Sequence, residues 1–287
     1  MRTQLCRFIF SGILLCCCFV RVTFASGAGF FTTSDGVRLH YLEAGSGPAI
    51  IFVPGWTMPA EIWKPQISGL SDQYHVIALD PRSQGDSEKT PEGNFSERRA
   101  TDIQELIEHL RVSPAVLVGW SLGVREALIY VRLFGSSSLR GLVLVDGSVW
   151  TKPDVEGYLD RAKFLHDLQA NRTQFTEHFV QSMYRKPQSK QYLSGIVADS
   201  LKTPINTAVA LLAEMYLWND LRPELQNLQV PLLVAVRAEH RDQAELVRTI
   251  VPTAKTEVFE DAGHALFVDD ADRFNALLLN FVSSIHP

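Results

Sequence analysis

Beyond residue 18 this chain has no cysteine; its four are Cys6, Cys16, Cys17 and Cys18. If the N-terminus is removed, the remaining protein can have no disulfide, no thiolate metal site and no cysteine nucleophile. The chain also lacks internal repeats, low-complexity linkers and long charge runs. Its longest apolar stretch, Phe8 to Val20, is too short to cross a bilayer comfortably. Basic residues are in deficit. Without Arg2, Arg7 and Arg21 the 27 Lys and Arg fall to 24 against 32 Asp and Glu, a formal charge of −8. Such a surface excludes nucleic acid as a natural partner.

The N-terminal 26 residues read as an export signal. Arg2 and Arg7 precede the apolar stretch, and Thr23-Phe24-Ala25 puts small residues where a signal peptidase inspects them. Cleavage after Ala25 predicts a periplasmic or secreted protein with no stable membrane association. The alternatives are an uncleaved anchor continuing past Arg21 to Ala25 and, less favoured, lipidation at the cysteine cluster.

The rest, residues 27–287, alternates short apolar runs with longer amphipathic ones. That pattern predicts an α/β fold with a mostly parallel sheet covered by helices on both faces. Val37 to Glu43 alternates like a half-exposed strand. Ala49 to Val53, His75 to Leu79, Ala115 to Val118, Gly141 to Val145, Pro231 to Val236 and Lys255 to Phe259 are strand candidates. Phe95 to Leu110 and Arg273 to Ile285 have helical spacing. From about 150 to 228 no strand-like run occurs, only helical periodicity at Tyr158 to Leu168, Phe175 to Tyr184 and Ile205 to Trp218. So long a gap predicts a helical insertion over the carboxyl ends of the strands, where open α/β folds bind ligands. Phe164, Phe175, Phe179, Met183, Tyr184, Met215, Tyr216 and Trp218 are candidates for a pocket wall. For each, packing inside the insertion is the plainer reading.

Gly119-Trp120-Ser121-Leu122-Gly123 joins a buried run to a helix-compatible stretch, Val124 to Val131. A nucleophilic serine on so sharp a turn needs neighbours without bulk, which Gly119 and Gly123 supply. A helix starting at Leu122 would direct unpaired N–H groups at an anion forming on the substrate.

With Val53-Pro-Gly-Trp56, Asp80-Pro-Arg-Ser-Gln-Gly-Asp-Ser87 and Asp261-Ala-Gly-His264-Ala-Leu-Phe-Val268 in the same order and spacing, the chain resembles the α/β-hydrolase superfamily over nearly all its length after Gly29. The resemblance implies an eight-stranded sheet with a helical cap inserted after the sixth strand. It makes His264 the base and the backbone N–H groups of Trp56 and Leu122 the oxyanion donors. Two positions depart from the family: Pro54-Gly55 stands where His-Gly is usual, and Val124 replaces a third glycine. Histidine suits the role of base because its unperturbed pKa lies near working pH. His40, His75, His109, His166, His178 and His286 read as structural or surface residues; His240, near the expected acid, reads as a surface-loop residue, with a place beside the site as the alternative.

The acid has three candidates. Family members commonly place an aspartate nine residues after the proline opening the seventh strand, but that position is His240, flanked by Glu239 and Asp242. Asp146 ends the strand Gly141 to Val145, where some members carry their acid, and is preferred. The resemblance thus implies an exported serine hydrolase cleaving small-molecule carboxylic esters through an acyl-enzyme, with no metal or organic cofactor. The same machinery serves cofactor-free haloperoxidases acting as perhydrolases, lactonases and proline iminopeptidases. The alternative from another class is a non-catalytic ligand-binding member of the fold.

Overall fold

Alternation within the buried runs builds the centre of one sheet. The computed structural model describes residues 27–152, 155–217 and 220–285. The N-terminal segment read above as an export signal, Trp218 and His286 lie outside the described residues. Eight strands, β1 (Gly27–Thr32), β2 (Arg38–Ala44), β3 (Ala49–Val53), β4 (His75–Leu79), β5 (Ala115–Trp120), β6 (Leu139–Val145), β7 (Leu232–Arg237) and β8 (Lys255–Phe259), lie in the order β1-β2-β4-β3-β5-β6-β7-β8. β1 and β2 form an antiparallel edge, β2 pairs antiparallel with β4, and the remaining pairs are parallel.

Successive residues of the central strands point to opposite faces. Ile51, Val53, Leu117, Leu144 and Val234 face helices α2 (Ser96–Leu110), α3 (Leu122–Phe134) and α9 (Arg241–Ile250). Ile50, Phe52, Val118, Val143 and Leu233 face α1 (Lys64–Leu70), α10 (Leu266–Asp269) and α11 (Ala271–Ser284). All five residues of β3 are buried. Burial of each large side chain is worth about 1.5–3 kcal/mol, so this double-faced core holds the strand ends that carry the site.

β1 has no counterpart among the sequence-predicted strands. It is short, opens on Gly27-Ala28-Gly29 and buries only Phe31, so its alternation is faint. Phe30 is covered instead by the Arg38 guanidinium, 3.6 Å above its ring.

Between β6 and β7 the chain forms α4 (Val155–Ala170), α5 (Arg172–Ser182), α6 (Lys190–Leu201), α7 (Ile205–Leu217) and the short α8 (Arg222–Gln226). Outgoing and returning segments meet at a bridge between Trp150 and Asp220, reinforced where Leu221 N–H donates to the Val149 carbonyl at 2.8 Å. Helix α6 was not among the sequence-predicted helices. Its local signal is Ser189, whose hydroxyl caps the helix by accepting from Tyr192 N–H.

Candidate active site

Ser121 sits between β5 and α3 with φ 56° and ψ −115°. This backbone is strained for a residue with a side chain and persists because its surroundings over-determine it. A Cβ on Gly119 would lie 2.2 Å from the Gly123 carbonyl oxygen, and one on Gly123 would lie 2.5 Å from that of Val53. Both positions therefore exclude any larger residue. The departure at Val124 has a local compensation. Its side chain fills the space beside Gly147, where an added Cβ would meet Val124 Cβ at 2.6 Å.

His264, on the loop after β8, brings Nε2 to 2.9 Å from Ser121 Oγ, placed to accept the hydroxyl proton. Its Nδ1–H donates to Asp146 Oδ2 at 2.6 Å. Trp120 steadies this loop: its indole N–H donates to the His264 carbonyl at 2.9 Å.

Asp146 directly follows β6, with φ 43° and a fully buried side chain. Its second oxygen accepts the Arg237 backbone N–H at 2.9 Å, and the Arg237 guanidinium lies 3.3 Å from Oδ2. His240 Nδ1 lies 3.2 Å from Oδ1, too poorly aligned for a hydrogen bond. Burial alone would raise this carboxyl, but the imidazoles of His240 and His264 outweigh it and hold Asp146 well below the usual carboxylate range.

The other two acid candidates face elsewhere. Glu239 is exposed and pairs with Arg185, while Asp242 lies exposed on the first turn of α9 beside Gln243. His240, read from sequence as a surface-loop residue, instead lines the cavity, because the turn after β7 folds back against Asp146. Of the other described histidines, His40 is buried against Asp80 at 2.7 Å, His75 pairs with Glu43 and His109 stacks on Phe31.

Trp56 lies on the loop after β3 and Leu122 directly follows Ser121. Leu122 opens α3, so its N–H has no intrahelical acceptor. Gly55 approaches so closely that a Cβ there would stand 3.4 Å from Ser121 Oγ. Gln84 supports this segment, its amide donating to the Gly55 carbonyl at 3.1 Å and the Met58 carbonyl at 2.8 Å. Arg99 in turn donates to Gln84 Oε1 at 2.8 Å. The sequence reading missed Gln84, Arg99, Arg237 and the Trp120 bond, because their partners are distant in the chain.

Ser121, His264 and Asp146 open into a cavity of about 630 Å³ beneath the cap. Met215 and Tyr216 line it. Burial pushes the Tyr216 phenol up to about 12, against the lowering effect of the nearby Arg161 guanidinium, so the hydroxyl stays neutral at working pH. Phe164, Phe175 and Phe179 instead gather round Trp56, with ring centres 6.1, 6.4 and 5.2 Å away. Met183 and Tyr184 pack towards the α10–α11 face. Among the described residues no set of three His, Cys, Asp or Glu side chains converges as a metal site.

Comparisons with known proteins agree with this architecture. A model of the "Alpha/beta hydrolase family" matches residues 50–277. The chain is 26% identical to a non-heme haloperoxidase of Rhodococcus erythropolis over 273 residues, covering 89% of this chain and 99% of that protein. It is also 26% identical to the bifunctional esterase/perhydrolase DCH of Acinetobacter calcoaceticus, covering 89% and 100%. The solved structure of an esterase from Exiguobacterium antarcticum superposes with a TM-score of 0.82 at 23% identity, covering 88% of this chain and 98% of that one, a likeness of fold.

Proposed function

Because the chain belongs to the alpha/beta hydrolase family, we propose that it is an exported serine hydrolase that cleaves carboxylic esters through Ser121, His264 and Asp146. The observation that carries this reading is the unbroken path from Ser121 Oγ to His264 Nε2 and from His264 Nδ1 to the buried Asp146 carboxylate, in the cavity beneath the cap.

His264 takes the hydroxyl proton as Ser121 Oγ attacks the ester carbonyl. The oxyanion that forms accepts hydrogen bonds from the N–H groups of Trp56 and Leu122, the latter at the positive end of α3. Asp146 holds the imidazole with Nδ1–H towards itself and stabilises the imidazolium. The alcohol then leaves with the proton from Nε2. Water attacks the acyl-enzyme, His264 accepts its proton, and the acid departs as Ser121 regains its own. The chain's own residues suffice, without a cofactor.

The likeness to a bifunctional esterase/perhydrolase favours a second reaction on the same intermediate. Hydrogen peroxide in place of water would release a peracid.

A fluorophosphonate probe should label Ser121 covalently, with fluoride as leaving group, and a panel of short, long, aromatic and cyclic esters should be turned over. Intact protein that neither labels nor hydrolyses any of them would support the ligand-binding alternative. Export rests on the charge, apolar length and small residues of the first 26 positions. Mature protein recovered from the periplasm or medium should begin at or near Ser26. Recovery from the cytoplasm with Met1 intact would overturn it.

A further inference from the structure

Among the described residues Asp146 is the only carboxylate lining the cavity, and its two oxygens are taken by His264 and the Arg237 backbone. The other ionisable groups lining it include two guanidiniums, Arg125 and Arg161, and the imidazoles of His240 and His264. This inverts the balance of the whole chain, which carries 32 acidic residues against 27 basic. With two guanidiniums against one carboxylate the lining itself carries an excess positive charge, which low-dielectric walls focus on what enters.

The two arginines differ. Arg125, one turn along α3 from Ser121, is buried and compensated, lying 3.2 Å from Glu214 Oε1 and donating to Ser96 Oγ at 2.9 Å. Arg161, on α4, is half-buried beside Leu165 and Met215. Among the described residues no carboxylate pairs with it; its guanidinium lies 5.7 Å from the centre of the Tyr216 ring. Holding a guanidinium against an apolar wall costs desolvation that the ring only partly offsets. A guanidinium fork steadied by an aromatic face has the geometry to bind a planar carboxylate by two parallel hydrogen bonds.

We propose that the ester attacked by Ser121 bears a carboxylate of its own and that Arg161 binds it, an inference that rests on the serine-hydrolase reading above. Substrates of this class are half-esters of dicarboxylic acids, or esters whose alcohol carries an acid group.

Two matched pairs of esters test it and separate the two sources of the charge. Mono-4-nitrophenyl glutarate against 4-nitrophenyl butyrate puts the carboxylate on the acyl side, and 4-acetoxybenzoate against phenyl acetate puts it on the alcohol side. In one pair kcat/KM for the charged ester should exceed that for the neutral one. Arg161→Gln should cut that ratio about 10- to 100-fold, the range of a charge-assisted hydrogen bond. Arg161→Lys should restore part of it, and Lys163→Gln, exposed on the same helix, should leave it alone. A ratio below one in both pairs, or one insensitive to Arg161→Gln, overturns the proposal.

Binding keeps the test independent of turnover. In the pair that shows the preference, the charged compound (monomethyl glutarate against methyl butyrate on the acyl side, 4-acetoxybenzoate against phenyl acetate on the alcohol side) should raise the Tm of Ser121→Ala protein more than its neutral match does, and the difference should vanish in Ser121→Ala/Arg161→Gln. Equal shifts from the two compounds overturn the carboxylate site, whereas absence of hydrolysis and labelling in the unaltered protein counts against the serine chemistry alone.

Discussion

The sheet body and the helical cap meet at the same cavity but are built to different standards. All five residues of β3 and all six of β5 are buried, as are ten of the thirteen in α3. In the cap, α4 buries only Leu168, while α5 and α6 bury two residues each. The body carries the residues whose positions must be exact, and it holds two strained backbones at the site, Ser121 and Asp146, both at positive φ. Each such residue costs about 1–3 kcal/mol, which a deep core can sustain and a shallow helical layer cannot. The cap contributes one wall of the cavity, where a changed side chain disturbs little else.

If that division holds, changes in the body should abolish chemistry and changes in the cap should redirect it. The largest loss is expected for Ser121→Ala. Turnover of any ester hydrolysed by the wild type should fall on the order of 10⁴ to 10⁶, with circular dichroism and Tm nearly unchanged. Turnover within tenfold of wild type would remove Ser121 from the reaction.

Asp146→Asn comes next, with a loss approaching 10⁴ because the amide keeps the shape but not the charge beside His264. Asp242→Asn and Glu239→Gln, both exposed and away from His264, should stay within about tenfold. If either is crippled instead, the relay through Asp146 is wrong. The same variant has a pH signature. The folded pKa of Asp146 is depressed, so the stability it contributes is complete above its unfolded value of about 3.9 and is lost as pH falls through the lower folded value. Urea midpoints of Asp146→Asn should therefore fall less steeply than those of wild type below about pH 4.

Within the cap, Phe179→Ala and Tyr216→Ala separate packing from substrate contact. Phe179 is part of the cluster round Trp56, and its loss should cost about 1–3 kcal/mol, less than the 3–5 typical of a fully buried phenylalanine. Tyr216→Ala should shift the preferred acyl length more than it lowers Tm, since Tyr216 lines the cavity. Chain-length profiles identical to wild type in Tyr216→Ala would return it to the cap's own packing. The smallest effect is expected at Lys202, whose exposed pairing with Asp86 joins cap to body at 2.7 Å. Lys202→Ala should change unfolding free energy by less than about 1 kcal/mol, and a larger drop would mean the cap is latched by surface charge.

What the sequence determined by itself was whatever depends on neighbours along the chain. Alternating apolar runs specify strands and glycines flanking Ser121 specify a sharp turn, because both are consequences of local backbone geometry. β1 was not legible, because a six-residue strand with one buried side chain carries little periodic signal. Which of Asp146, Asp242 and Glu239 stands beside His264 belonged to the tertiary structure. Asp146 and His264 stand 118 positions apart, and only the parallel register of β6, β7 and β8 brings their strand ends together. The same holds for His240 against Asp146, Gln84 beneath Gly55 and Arg161 beside Tyr216. Contacts across the ends of different strands and helices are made by packing, and no local pattern encodes which side chains it will bring face to face.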